Sequence, residues 1–259
     1  MKSHITTLTS VLISLASVAQ EKIETDRPDQ TETPVLISTN ILQAEFGFNK
    51  ENRNADDYNL VYPTSLFKYG LSKRVELRLE ATYHHEYIRL IPQPKTKTAL
   101  EPMVLGGKIA LFEANKWRPK TTFIGGIGLP FLGSRNARTT HAAPSFRFTM
   151  QNNLSKTIGI GYNIGAEWDG ESSIPIWIYT LTSGFSIGKN WYSYIETYGF
   201  IRKKDLPDNN IDGGFAYFIS DNMKVDLSGG VGISNNSLKN YIALGFACRI
   251  DIKKKKRQD

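Results

Sequence analysis

The sequence predicts an all-β fold, a closed antiparallel transmembrane β-barrel of about 12 strands with short periplasmic turns and longer external loops. Three observations predict it. Apolar and polar residues alternate with a period of two from Ile41 onward, the connectors between the alternating runs are short and long by turns, and a secretory leader precedes them. Amphipathic stretches of helical period are absent.

Composition is consistent with this. At 40% hydrophobic and 22% charged, with a mean hydropathy of -0.32, the chain is too polar for a bundle of membrane helices and too apolar for a disordered polymer. The formal charge of +7 owes much to Lys253, Lys254, Lys255, Lys256 and Arg257, which makes the body nearly balanced. This basic tail, 253–259, reads as a solvated terminus. Cys248 is the single cysteine, which excludes an intrachain disulfide framework or a thiolate cluster.

Residues 1–19 have the pattern of a signal peptide: Lys2, then an apolar and hydroxyl-rich run from Ile5 to Val18, then small residues at Ser17 and Ala19. No later apolar run reaches the roughly 18 residues a membrane helix needs. Residues 20–40 are polar, with Glu24, Asp26, Asp29 and Glu32 set against Lys22 and Arg27, and Pro28 and Pro34 oppose regular structure. Two placements stay open for this segment: hanging in the periplasm, or entering the barrel as a partial plug.

The barrel is expected over 41–252, with strands near 41–49, 59–70, 75–88, 102–114, 120–131, 142–153, 157–168, 175–187, 191–202, 211–219, 223–233 and 240–250. The third is the clearest. Val75, Leu77, Leu79, Ala81 and Tyr83 fall on one face, and Glu76, Arg78, Glu80, His84 and Glu86 on the other. The pattern recurs in Phe146, Phe148 and Met150 against Arg147, Thr149 and Gln151, and in Ile158 to Trp168 against Asn163 and Glu167. Val225 and Leu227 stand against Lys224 and Asp226, and Ile242, Leu244, Phe246, Cys248 and Ile250 against Tyr241, Ala243, Gly245, Ala247 and Arg249.

Tight turns at 71–74, 115–117, 153–156, 188–190 and 220–222 alternate with longer connectors at 50–57, 89–101, 132–141, 169–174, 203–210 and 234–239. Aromatic residues gather at both ends. Tyr69, Phe112, Trp117 and Trp191 lie near the short turns, and Phe48, Tyr58, Tyr62, Tyr87, Phe131, Trp168, Trp177 and Tyr241 near the long loops. Two interfacial girdles require such placement. A soluble β-sandwich would also alternate, but nothing in it requires connectors that alternate in length. Because an open edge cannot survive in lipid, the last strand must pair with the first.

The run Ile23-Glu24-Thr25-Asp26-Arg27-Pro28-Asp29-Gln30-Thr31-Glu32, followed by Leu42-Gln43-Ala44-Glu45-Phe46-Gly47-Phe48, resembles the start of the outer-membrane barrels named for the meta-pathway of phenol degradation. The version most similar is that of the Bacteroidota. The resemblance is specific at this N-terminus and generic beyond it. It implies a transport barrel in the outer membrane of a Gram-negative bacterium, for small molecules that include hydrophobic or aromatic compounds, and it transfers no catalytic residue.

Twelve strands lie between the filled interior of eight and the aqueous channel of sixteen, so a narrow or gated pore is expected. Its lining candidates are Glu76, Arg78, Glu80, His84, Glu86, Lys108, Arg147, Gln151, Asn163, Glu167, Glu196 and Asp226. They are expected to form internal ion-pair ladders as readily as a selectivity filter. A structural or surface-binding barrel is the alternative, its loops 89–101 and 132–141 meeting a ligand. A barrel lipid hydrolase would need an oriented nucleophile and base. Neither His84, His85 and His141 nor Ser134, Thr139, Thr140 and Ser145 lie in a hydrolase signature, so no enzyme is expected. No cofactor and no metal are implied. The partners expected are outer-membrane lipid, the barrel insertion machinery and a permeant left open. Nucleic acid is excluded, because the aromatics do not gather on a basic platform.

Overall fold

The computed structural model describes residues 22–254 except 55 and 204, so the expected leader over 1–19 and residues 255–259 of the tail lie outside the described residues. Thirteen strands form one sheet: β1 (Ile41–Asn52), β2 (Tyr58–Gly70), β3 (Val75–Ile88), β4 (Lys95–Leu100), β5 (Val104–Phe112), β6 (Lys120–Gly128), β7 (Ala143–Asn153), β8 (Ile158–Glu167), β9 (Ile176–Ile187), β10 (Trp191–Arg202), β11 (Asp208–Ser220), β12 (Met223–Gly232) and β13 (Asn240–Asp251). Neighbours in sequence, except β4 and β5, pair antiparallel around the ring. β13 closes it on β1 from Ile41↔Asp251 to Asn52↔Asn240.

The ring has twelve positions, because β4 and β5 share one. The upper half of β3, Tyr83 to Ile88, pairs with β4, and the lower half, Val75 to Glu80, with β5. This corrects two expectations. The connector expected over 89–101 is partly strand, and the strand expected from 102 begins at Val104. The physical reason is Pro102, which has no N–H for the ladder. Glu101 N still donates to the Thr82 carbonyl at 2.8 Å. The loop after β6 then folds over the break: Met103 N donates to the Leu132 carbonyl, Ser134 N to the Leu100 carbonyl, and Leu100 N to Ser134 Oγ. The loop shortens β6, expected to run to 131, to Gly128.

Alternation sorts the two faces. Ile164, Ile195, Phe215, Leu227, Ile242 and Leu244 stand exposed on the outside. Gln43, Glu45, Lys68, Glu76, Lys108 and Glu196 are among the most buried side chains of the chain, inside the ring. Tyr241, expected both near the upper girdle and on the inner face of the last strand, is buried and turned inward, where its hydroxyl donates to Asp212. Gly188 takes a φ of +60° in the tight turn between β9 and β10, a conformation that side-chain-bearing residues rarely adopt.

Residues 22–40 lie within the ring as an inner loop. It enters at the end of the short turns, where Ile23 N donates to the Asp221 carbonyl and Lys22 reaches Asn190. It rises to mid-height around Gln30 and Thr31, then returns along β3 and β5 to Asn40, whose N–H donates to the Gly70 carbonyl. Asn40 adopts a left-handed φ of 64°, which asparagine tolerates, and there the chain reverses into β1.

Candidate functional site

The interior is organised around the inner loop. At its base, Asp26 is gripped by three cations from three strands: Lys68 of β2 at 2.9 Å, Arg78 of β3 at 2.9 Å and Lys108 of β5 at 3.0 Å. Asp26 ties the rising and returning limbs together, because its carboxylate also accepts Thr33 N at 3.1 Å. Its own N–H donates to Glu45 of β1, which in turn pairs with Lys68. Burial alone would raise the Asp26 carboxyl, but Lys108, Lys68 and Arg78 overrule it and hold it well below the usual range. A carboxylate so gripped is a charge-assisted clasp between loop and wall.

Higher up, Arg27 donates to Asp226 of β12 at 3.2 Å, and its guanidinium lies over Gly47 of β1, where a Cβ would collide with it. Glycine at 47 thus makes room for the loop. At the tip, Glu196 of β10 accepts Gln30 N at 2.7 Å, Thr31 N at 2.8 Å and the Thr31 hydroxyl. Thr31 also touches Thr180 of β9, hydroxyl to hydroxyl at 2.6 Å. Asn163 of β8 accepts Glu32 N and donates to its carbonyl, while the Glu32 carboxylate lies 2.8 Å from Arg78 and 3.7 Å from Arg147. On the returning limb, Ile37 N donates to Glu76 at 3.0 Å. Asp29 has no such grip. Burial pushes its carboxyl up to about 7, with Lys224 opposing and Asp212 and Asp26 adding to the rise.

Two of the remaining cavities are chambers on either side of the loop. The upper, about 550 Å³, lies toward the long loops and includes Glu51, Glu80, Glu101, Glu167, Phe146 and Trp168 in its lining. The lower, about 300 Å³, lies toward the short turns and includes Gln151, Lys156, Thr157, Tyr192, Phe218 and Lys224. Arg27, Asp29 and Glu32 line both, so these loop residues stand between the chambers.

The twelve candidates from the sequence separate into groups. Glu76, Arg78 and Lys108 meet around Asp26 and the returning limb, and Arg147, Asn163, Glu196 and Asp226 meet the upper part of the loop. Glu80 and Glu167 face the upper chamber. His84 lies 2.8 Å from Glu101 and Glu86 stands opposite Lys97, both near the upper rim, while Gln151 sits in the lower chamber. Internal ion pairs were expected, and most of those the candidates make run from wall to inner loop. Among the described residues, the candidates' wall-to-wall contacts are few, such as Arg78 to Glu76 at 3.4 Å.

Sequence reasoning missed Gln43, Glu45, Lys68, Asn210 and Asp212 and left Lys224, which it had placed on the polar face, out of the lining; all are buried inside. The same alternation would have found them, since Gln43 and Glu45 interleave with Leu42, Ala44 and Phe46, and Lys68 lies between Phe67 and Tyr69. Of the residues weighed for hydrolysis, Ser134 braces the Pro102 break, the Thr139 hydroxyl donates to the His141 carbonyl, and Thr140 binds Glu171. No group of three or more His, Cys, Asp or Glu among the described residues could hold a metal ion.

An outer-membrane channel from Pseudomonas putida F1 matches this fold with a TM-score of 0.62 at 10% identity, over 83% of this chain and 97% of that one. The KdgM porin gives 0.52 at 9% identity, over 80% and 98%, and the NanC porin 0.51 at 10%, over 81% and 100%. These likenesses are likenesses of fold. Comparison with proteins of curated function returns no match. A family model covers residues 25–250, from the Asp26 clasp region to the closing strand, and on that match the chain belongs to the family described as "Putative MetA-pathway of phenol degradation".

Proposed function

We propose that this protein is an outer-membrane channel for small molecules in a Gram-negative bacterium, that its leader over 1–19 is cleaved on export, and that the inner loop is its gate. One observation carries the reading: a closed ring, apolar outside and charged inside, holds two chambers with Arg27, Asp29 and Glu32 between them. An apolar exterior suits acyl chains, and a charged, hydrated interior suits a route for solutes. The solved channel and porins of the same fold support it.

The upper chamber bounds the permeant. At about 550 Å³ it accepts a single-ring compound with room for water, and Leu66, Val104, Ile124, Phe146 and Trp168 give it apolar surface among its charges. Small aromatic compounds are the class we assign, in keeping with the family's pathway.

The test locks the gate. Cysteines replacing Thr31 and Thr180, whose hydroxyls touch, are near enough to pair once Cys248 is replaced by serine. In planar bilayers the oxidised Thr31→Cys/Thr180→Cys/Cys248→Ser chain is expected to be silent, and reduction to restore current steps. Equal conductance in both states would overturn the gate. Permanent silence with intact folding would overturn the channel.

A further inference from the structure

The wall around the loop tip holds two buried carboxyls with no cation. Glu196 of β10 and Asp212 of β11 are direct cross-strand partners on the inner face, 2% and 4% exposed. No Lys, Arg or His among the described residues forms an ion pair with either. Facing them are Tyr192, Tyr194 and Tyr198 of β10, Tyr241 of β13 and Asp29 of the loop, and beyond Asp29 lie Lys224 and Asp226 of β12 and Arg27 of the loop. The cations there are committed elsewhere: Arg27 to Asp226, and Lys224 to the Thr25 hydroxyl and the Arg27 carbonyl.

Hydrogen bonding assigns the protonation. Glu196 accepts from Gln30 N, Thr31 N and the Thr31 hydroxyl, which is the behaviour of a carboxylate. Asp212 accepts the Tyr241 hydroxyl at one oxygen, while its other oxygen, Oδ1, is buried without a partner. As direct cross-strand partners on one face, the two carboxyls stand side by side. Two like charges so placed in a buried wall cannot both persist. A proton on Asp212 Oδ1, donated to Glu196, removes the repulsion and satisfies the orphaned atom.

We propose that seating the inner loop binds one proton, shared by Glu196 and Asp212, so that the channel closes as pH falls and opens as it rises. This rests on the loop being the gate. With the loop seated, the pair is sealed beneath Gln30 and Thr31. With the loop withdrawn, water reaches both groups and each can ionise. By linkage, the open-to-closed ratio then changes by up to about tenfold per pH unit for each proton taken up. Asp29, at the tip and held at about 7, adds a change of the same sign, so the test removes it first.

The experiment is single-channel recording of the Asp29→Asn chain between pH 6 and 8, with and without Asp212→Asn. The side-chain amide that Asp212→Asn introduces can still donate to Glu196 and accept from Tyr241 without titrating. Asp29→Asn alone is expected to keep a rise in open-to-closed ratio approaching tenfold per unit. Asp29→Asn/Asp212→Asn is expected to change less than twofold across the range. Asp29→Asn/Glu196→Gln, which removes the charge from the other side, is expected to flatten likewise. An equal slope in the single and double variants overturns the proposal, as does a flat profile in Asp29→Asn itself. If the cysteine lock leaves conductance unchanged, the gate itself fails. If the lock works and the slopes match, only the proton site does.

Discussion

Asp26 and Lys108 meet at 3.0 Å with side chains 5% and 0% exposed, joining the inner loop to β5 in the most deeply buried loop-to-wall ion pair among the described residues. Lys68 and Arg78 converge on the same carboxylate. Removing it leaves three cations facing one another without their common partner. Breaking one buried pair costs about 3–5 kcal/mol. Asp26→Ala is therefore expected to release the loop while leaving the strand ladder intact. The measurement is cleavage after Glu32 by a glutamate-specific protease in detergent, which should be slow in the wild-type chain and rapid in the variant. Equal cleavage rates would show that the clasp does not hold the loop.

The pH dependence of this clasp follows from its sign. A carboxyl held below its ordinary value of 3.8 contributes above that value, and the contribution is lost only as pH falls through the depressed one. Between pH 5 and 9 the clasp is fully formed. Protection of the Glu32–Thr33 bond from a glutamate-specific protease at pH 5 should therefore equal that at pH 9 in a chain carrying Asp29→Asn and Asp212→Asn, where the tip no longer titrates.

Gly47 offers a way to disturb the loop without changing a charge. A Cβ there collides with the Arg27 guanidinium, which is anchored on Asp226. Gly47→Ala is expected to weaken that charge-assisted bond, worth about 1.5–3 kcal/mol, and to raise the open fraction of the channel at fixed pH. Gly188, with open space around its Cβ position, lies away from the loop, and Gly188→Asn should leave conductance unchanged. A rise with both variants would place the effect in general loosening of the barrel.

The ring was legible in the sequence because its physics is local. Alternation at Val75–Ile88 or across Ile242 and Leu244 states which side chain meets lipid, and the spacing of Gly, Asn and Lys clusters marks the turns. Closure of β13 on β1 followed from the impossibility of an open edge. The position of β4 was not legible, since its polar residues Lys95, Thr96 and Lys97 read as loop until Pro102 is seen to split one strand in two. The clasp was hidden for a different reason. Alternation says that Lys108 and Glu196 point inward, but nothing local says that residues 82 and 165 positions away will reach them. Only the low dielectric of a filled interior makes such pairing obligatory once the loop has entered.

Leu244 is 57% exposed at mid-strand, while Ala243, its neighbour in sequence, is 5% exposed and turned inward. In a membrane barrel, Arg at a midplane lipid-facing site costs about 2–4 kcal/mol, falling toward the interfaces. Leu244→Arg is expected to lower folding stability in lipid vesicles by that amount, and Ile252→Arg, beyond the end of β13, by less than about 1 kcal/mol. Urea unfolding in vesicles of matched thickness measures both, and the depth dependence is the discriminating quantity. A soluble sheet with the same exposed leucine would gain solubility from arginine and show no such gradient. Equal small effects at both positions would mean that Leu244 faces water and that the ring does not cross a bilayer.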